Sequence, residues 1–202
     1  MRSELNIIRR DWSEFNRPVL MLTVAMFVTV FLTRLSPDFS RGLLAGLMIS
    51  AGYGYAQFCF FTERQRRTLD LLLSLPIRPQ NLVLSKYASA YSMTLFTVNV
   101  PGVFLGNARE LFLINAAAIF MATLCMTPTV LSEKPWATQV PIWIFVLVVF
   151  PAKTLLAQHF PAAYAMLAAA GSYPMLLATS ALVLSPMVAV VAALAFARRS
   201  CS

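Results

Sequence analysis

The chain has 202 residues, of which 59% are hydrophobic and only 12% are charged, and its mean hydropathy is +0.72. Soluble domains carry about 25% charged residues, so these charges are too few to cover an ordinary water-facing surface. Composition therefore excludes a soluble enzyme and indicates an integral membrane protein.

Long runs without a charged residue show where the chain can cross a membrane, because a spanning helix needs about 17 to 25 mostly apolar residues. The last such run, 160–197, is too long for one crossing and is divided by Pro161, Gly171 and Pro174. The sequence predicts one all-α transmembrane domain over residues 1–202, a polytopic protein with six transmembrane helices. The predicted spans cover residues 18–34, 42–61, 80–106, 111–131, 136–152 and 174–197, with short outer-side helices at 153–173 before the sixth span.

The first uncharged run is also compatible with a signal peptide. Its leader carries three acidic residues, however, and no small-residue cleavage site follows Thr33. We therefore expect a retained first span.

The placement of Lys and Arg predicts the orientation, because cytoplasmic loops carry the excess of basic residues. With the N-terminus inside, the 16 Lys and Arg residues divide twelve to four in favour of the cytoplasm. The outer four are Arg34, Arg41, Arg109 and Lys153. Both termini are predicted to be cytoplasmic, and the net charge of +8 is a topology signal, with no nucleic acid expected as a partner.

An amphipathic segment precedes the first span. Leu5, Ile8, Trp12 and Phe15 recur at spacings of three and four within residues 3–16. The opposite side carries the charged residues Glu4, Arg9, Arg10, Asp11 and Glu14. This pattern predicts a helix in the membrane interface with Trp12 at headgroup depth. A helix docked on its own protein would have the same pattern.

Charged groups are absent from the predicted membrane interior. The uncharged runs that define the spans also lack His, and all eight acidic residues lie outside them, which disfavours a proton relay or a sodium site. The sequence has no H-E-x-x-H and no G-x-x-x-x-G-K-[ST]. We expect neither an enzyme nor a bound metal or cofactor, so energy for directional work must come from another subunit.

Single polar residues are scattered through the spans, and interhelical hydrogen bonding is their default explanation. Some of them are alternatively candidates for a weakly polar translocation path. The candidate path residues are Tyr53, Gln57, Asn99 and Thr123.

A second amphipathic segment lies between the second and third spans. Thr62 and Gln65 form a capping box, which predicts that a helix starts there. Pro76 ends this helix, and Pro79 is suited to the first position of the next one. The sequence predicts a cytoplasmic helix over residues 63–75.

The stretch from Glu63 to Lys86 resembles the corresponding segment of ABC-2 type permease subunits. That family reads roughly E-[KR]-x-x-G-T-L-[ED]-x-L-L-x-[ST]-x-P-[IL]-[SR], followed by L-V-x-x-K, and Arg67 stands where it most often has Gly. The resemblance implies that helix 63–75 is a coupling helix that docks on a separate ATP-binding subunit, which holds ATP and Mg. The docking residues it implies are Glu63, Arg64, Arg66, Arg67, Thr68 and Asp70.

The same resemblance implies that residues 3–16 are the connecting helix of the family and that a second permease subunit, identical or related, completes the transporter. Uncharged spans predict an apolar or amphipathic cargo, and the resemblance implies that this cargo is exported across a bacterial cytoplasmic membrane. A haem-exporter-type permease of cytochrome c maturation, a non-transporting membrane scaffold and a channel are the alternatives.

Overall fold

The computed structural model describes residues 2–33, 46–47, 50–61, 72, 77–105, 107–132 and 174–200. Within these residues all regular structure is helical, which confirms the predicted all-α class. Predicted elements 63–75, 136–152 and 153–173 lie outside the described residues, apart from the buried Leu72.

Helix α1 spans Arg2–Thr33 without interruption. The sequence separates an interfacial helix at 3–16 from a span beginning at Pro18, whereas the structure joins them into one rod of 32 residues with Pro18 inside it. An interior proline costs about 3 kcal/mol. Extensive packing of α1 along a second long helix, described below, opposes that cost and keeps the helix continuous through Pro18.

Helix α2 covers residues 50–61, and its last turn, Gln57–Phe61, is π-helical. Helix α3 is Pro79–Gly102, with the fixed φ of Pro79 suited to the first turn, and a 3-10 turn at Val103–Leu105 follows it. Helix α4 is Ala108–Leu131, and the side chain of Asn107 caps it by accepting from the Glu110 amide at 3.3 Å. Helix α5 is Pro174–Ser200.

Helices α1 and α3 are parallel neighbours. Their contacts advance in the same order along both helices: Glu4 with Asn81, Asp11 with Lys86, Trp12 with Ser92 and Phe27 with Phe104. Since α1 ends at the opposite end of the bundle from the start of α3, the chain returns along the bundle between them.

Helices α3 and α4 are antiparallel, because Tyr87, Tyr91 and Asn99 on α3 meet residues of steadily falling number on α4. These partners are Thr127, Thr123 and Asn115. Helix α5 is parallel to α4, and near its end the Arg199 guanidinium donates to the carbonyl of Leu131. Of these four long helices, α1 and α3 therefore run in one direction, and α4 and α5 run in the other.

Three of the described helices are long and apolar enough to cross a membrane: Glu4–Leu32, Ala108–Leu131 and Pro174–Arg199. Their outward faces are apolar, with more than half of the Met21, Phe31, Leu176 and Val191 side chains exposed, as in a bundle surrounded by lipid. The protein is thus a helical transmembrane protein, with three candidate spans among its described residues. Six spans remain a prediction.

Candidate functional site

A buried ion pair joins α1 to α3. The Lys86 ammonium donates to Asp11 Oδ1 at 2.6 Å, and both side chains are 0% exposed. The Arg10 guanidinium lies 3.5 Å from the same oxygen and is partly exposed. Because a charge buried alone costs several kcal/mol, each member of this pair is tolerated only next to the other.

The helical period of α1 places Asp11 inside the bundle. The buried positions Ile7, Val19, Met26 and Val30 lie on one side of the helix, and Asp11 occupies the same stripe one turn after Ile7. The sequence prediction assigned Asp11 to the charged, water-facing side. That assignment is wrong, because it considered residues 3–16 apart from the span that continues them.

Lys86 occupies the corresponding place on α3. Leu82, Val83, Ala90 and Met93 are buried on the same side of that helix, and Lys86 lies among them one turn after Leu82. The predicted third span, 80–106, includes Lys86, although the uncharged run behind it begins only at residue 87. The sequence therefore does contain a signal for the buried ion pair, namely two opposite charges that each lie within the apolar stripe of a helix.

Hydrogen bonds flank the ion pair on both sides. Asn81 donates to Glu4 Oε1 at 3.0 Å, and Trp12 Nε1 donates to Ser92 Oγ at 2.9 Å. We call these six residues the α1–α3 joint: Glu4, Asp11, Trp12, Asn81, Lys86 and Ser92. The joint fixes the register of α1 on α3 over the first half of each helix.

The four residues of the predicted interfacial stripe have different surroundings. Leu5 is 59% exposed and Ile8 is partly buried. Trp12 packs edge-on against Phe96 with ring centroids 5.4 Å apart, and Phe15 stacks on Phe58 of α2 at the same distance. Trp12 and Phe15 therefore contact other helices of this protein, the arrangement of the docked-helix alternative.

The predicted path residues are engaged in hydrogen bonds. Gln57 donates to the Tyr53 hydroxyl one turn away on α2. Asn99 and Asn115 exchange amide hydrogen bonds of 3.2 and 2.9 Å between α3 and α4. These contacts have the geometry of interhelical and intrahelical hydrogen bonding, and a role in a path stays a prediction.

Thr123, the fourth path residue, belongs to a series of Tyr–Thr contacts that sequence reasoning missed. Because Thr123 donates to the Ile119 carbonyl, it accepts from the Tyr91 hydroxyl at 2.6 Å. The other pairs are Tyr87 with Thr127 at 2.9 Å and Tyr55 with Thr97 at 2.8 Å. A spacing of four between the tyrosines on α3 and between the threonines on α4 is the signal for two of these contacts.

The six predicted docking residues, Glu63, Arg64, Arg66, Arg67, Thr68 and Asp70, lie outside the described part of the chain. In that part no three His, Cys, Asp or Glu side chains are grouped to hold a metal ion. No family model, curated protein or solved structure matches this chain. The function must therefore be argued from its own residues.

Proposed function

We propose that the chain is the membrane-spanning permease subunit of an ATP-binding cassette exporter. The supporting observation is that the segment resembling a coupling helix leads directly into α3, the helix that is paired with α1. The segment that resembles a coupling helix ends at Pro76, and α3 starts three residues later at Pro79. The Lys that completes the resemblance, Lys86, is the residue buried against Asp11 of α1.

In this proposal the α1–α3 joint transmits movement of the coupling segment from α3 to α1. A force applied to residues 63–75 enters α3 at its N-terminal end, where Asn81 in the first turn and Lys86 one turn later hold α1. Helices α1 and α3 would then move together, while neutral hydroxyl contacts such as Tyr91 with Thr123 connect α3 to α4. Neutral contacts between helices are worth about 0.6 to 2 kcal/mol each, small enough to exchange when a bundle changes state.

In this proposal two permease subunits enclose the path, and two separate ATP-binding subunits dock on their coupling helices. ATP-driven closure of those subunits shifts the bundle between two states with different affinities for cargo. Asp11 and Lys86, the two charged residues buried among the described residues, pair with each other. An interior whose two buried charges neutralise each other suits an apolar or amphipathic cargo.

Charge reversal in the coupling segment tests the proposal. The tagged chain is purified from its own host's membranes with whatever binds it, and vanadate-sensitive ATPase activity is measured. We expect Glu63→Lys and Asp70→Arg to abolish both the ATPase activity and the recovery of a nucleotide-binding subunit. Glu14→Lys is the matched control, because it reverses the charge of an exposed acidic residue of α1 outside the coupling segment.

Equal ATPase recovery with all three variants would contradict the docking assignment. Purification of the unaltered chain without any ATPase would contradict the transporter itself and leave the scaffold alternative. Haem-stimulated ATPase activity in the purified complex would instead favour the haem-exporter type of permease.

A further inference from the structure

A groove lies where α1 contacts α3, on the surface that faces away from the rest of the bundle. It has a volume of about 310 Å³ and is lined by Trp12, Asn16, Arg17, Val19, Leu20 and Phe96. Leu20 is 64% exposed and Phe96 is 45% exposed, so the apolar wall opens away from the bundle. From Trp12 to Leu20 the groove follows about 12 Å of α1, at 1.5 Å per residue.

The polar end of this groove is cationic. Arg17 is exposed, and its guanidinium has no hydrogen-bond or ion-pair partner among the residues that the structure describes. None of the described residues that line the groove is acidic. The indole N–H of Trp12 is already donated to Ser92, which leaves Arg17 and Asn16 as the polar groups able to bind an occupant.

A second groove between the same two helices provides a contrast. It is lined by Glu4, Leu5, Ile8 and residues of α3, and its acidic group, Glu4, accepts from Asn81. The two grooves have similar apolar walls and opposite charges at their polar ends. Charge therefore distinguishes what each can hold.

We propose that the groove at Arg17 binds one anionic phospholipid, with its phosphate at Arg17 and Asn16 and an acyl chain along Val19, Leu20 and Phe96. The planar guanidinium matches a phosphate through two parallel hydrogen bonds. The first span is predicted to begin at residue 18, so the predicted orientation places Arg17 at the cytoplasmic end of that span. Its long side chain extends toward the headgroups of the cytoplasmic leaflet, which carries the anionic lipids. The site requires a membrane around the bundle and is independent of the proposed transport function.

Charge also selects the class of lipid. In a zwitterionic lipid the choline group neutralises the phosphate, so an unpaired arginine gains less from it than from the net negative charge of phosphatidylglycerol. A basic residue near an anionic surface contributes enough binding free energy for about a fivefold preference. We expect that preference at this groove, and we expect it to depend on Arg17.

Photo-crosslinking tests the site in the full chain. The protein is reconstituted in phosphatidylcholine vesicles that contain a minority of phosphatidylglycerol, with a trace of either lipid carrying a diazirine near the carboxyl end of one acyl chain. Mass spectrometry then measures labelling of the peptides that contain Leu20 and Phe96. We expect the phosphatidylglycerol probe to label them about five times more than the phosphatidylcholine probe.

Three variants separate the parts of the proposal. Arg17→Gln should abolish the fivefold difference between the probes. Arg9→Gln, which removes an exposed arginine of the same helix that does not line the groove, should preserve it. Leu20→Ala should reduce labelling at Phe96 by both probes and leave their ratio unchanged.

Equal labelling by the two probes, or a ratio that survives Arg17→Gln, would overturn the proposal. Absence of label from both peptides would overturn it in another way, because it would mean that protein, from this chain or a second copy, covers the groove.

Discussion

The Lys86 ammonium lies 2.6 Å from the Asp11 carboxylate, and neither side chain reaches solvent. The two residues are 75 positions apart in the chain and belong to parallel helices. A slip of one turn between α1 and α3 would separate the charges and leave both buried in an apolar bundle. The pair therefore specifies one register for the two helices, in addition to any stability it contributes.

Removing one member of this pair should be costly. Lys86→Met keeps the volume of the side chain but leaves the buried Asp11 carboxylate with only the partly exposed Arg10 guanidinium, 3.5 Å away. We therefore expect the free energy of unfolding to fall by up to about 3 to 5 kcal/mol. Thermal unfolding of the purified protein in detergent measures the loss.

Replacing both charges should restore most of this stability. The double variant Asp11→Leu with Lys86→Met buries two apolar side chains, an exchange that is often neutral or stabilising. Ser89→Ala is the control, because the Ser89 hydroxyl is buried one turn from Lys86 without a hydrogen-bond partner among the described residues. A Lys86→Met protein as stable as the unaltered one would contradict the buried pair.

Two glycines on α2 should respond to alanine in opposite ways. A Cβ at Gly52 would lie 2.2 Å from the carbonyl oxygen of Ala118, so Gly52→Ala forces α2 away from α4 and should cost about 1 to 3 kcal/mol. At Gly54 no atom of the described residues lies within 4 Å of the same position, and Gly54→Ala should stabilise the helix by up to about 1 kcal/mol. Unfolding measurements in detergent that give both variants the same sign would contradict this packing.

The Tyr–Thr contacts predict a specific pattern of energetic coupling. A double-mutant cycle of Tyr91→Phe with Thr123→Val should give a coupling energy of about 0.6 to 1.7 kcal/mol, because each change removes the same hydrogen bond. Tyr87→Phe with Thr127→Val should behave alike. The crossed cycle, Tyr91→Phe with Thr127→Val, is the control and should show coupling near zero; equal coupling in all three cycles would mean that the contacts are not paired in this way.

The class of this protein follows from its sequence because lipid imposes a simple rule on a spanning segment. Each membrane helix must satisfy its own backbone and present apolar side chains, so scarcity of charge over long runs predicts a helical membrane protein. The structure confirms that class and gives three candidate spans. The docking residues Glu63 to Asp70 stay predictions, since they lie outside the described residues.

The contacts of the joint are harder to read from sequence. Treating Pro18 as the start of a new element breaks the stripe that runs from Ile7 through Asp11 to Val19, and Asp11 is then assigned to solvent. Periodicity also shows which side of a helix is buried without showing which helix covers it. Trp12 is an example, because its place in an apolar stripe does not indicate that its indole N–H is donated to Ser92 on α3.

The parallel arrangement of α1 and α3 can be tested with pairs of cysteines, after the native cysteines Cys59, Cys125 and Cys201 are replaced. Phe27 and Phe104 have ring centroids 5.4 Å apart, and Leu5 and Leu84 line one groove near the other end of the helices. A short thiol crosslinker should therefore join Phe27→Cys to Phe104→Cys and Leu5→Cys to Leu84→Cys. The exchanged pairs, Phe27→Cys with Leu84→Cys and Leu5→Cys with Phe104→Cys, should not react. Leu84 and Phe104 are 20 residues apart along α3 and the turn that follows it, a distance of about 30 Å. Links in the exchanged pairs alone would reverse α3 relative to α1, and with it the return of the chain between them on which the predicted position of the coupling segment depends.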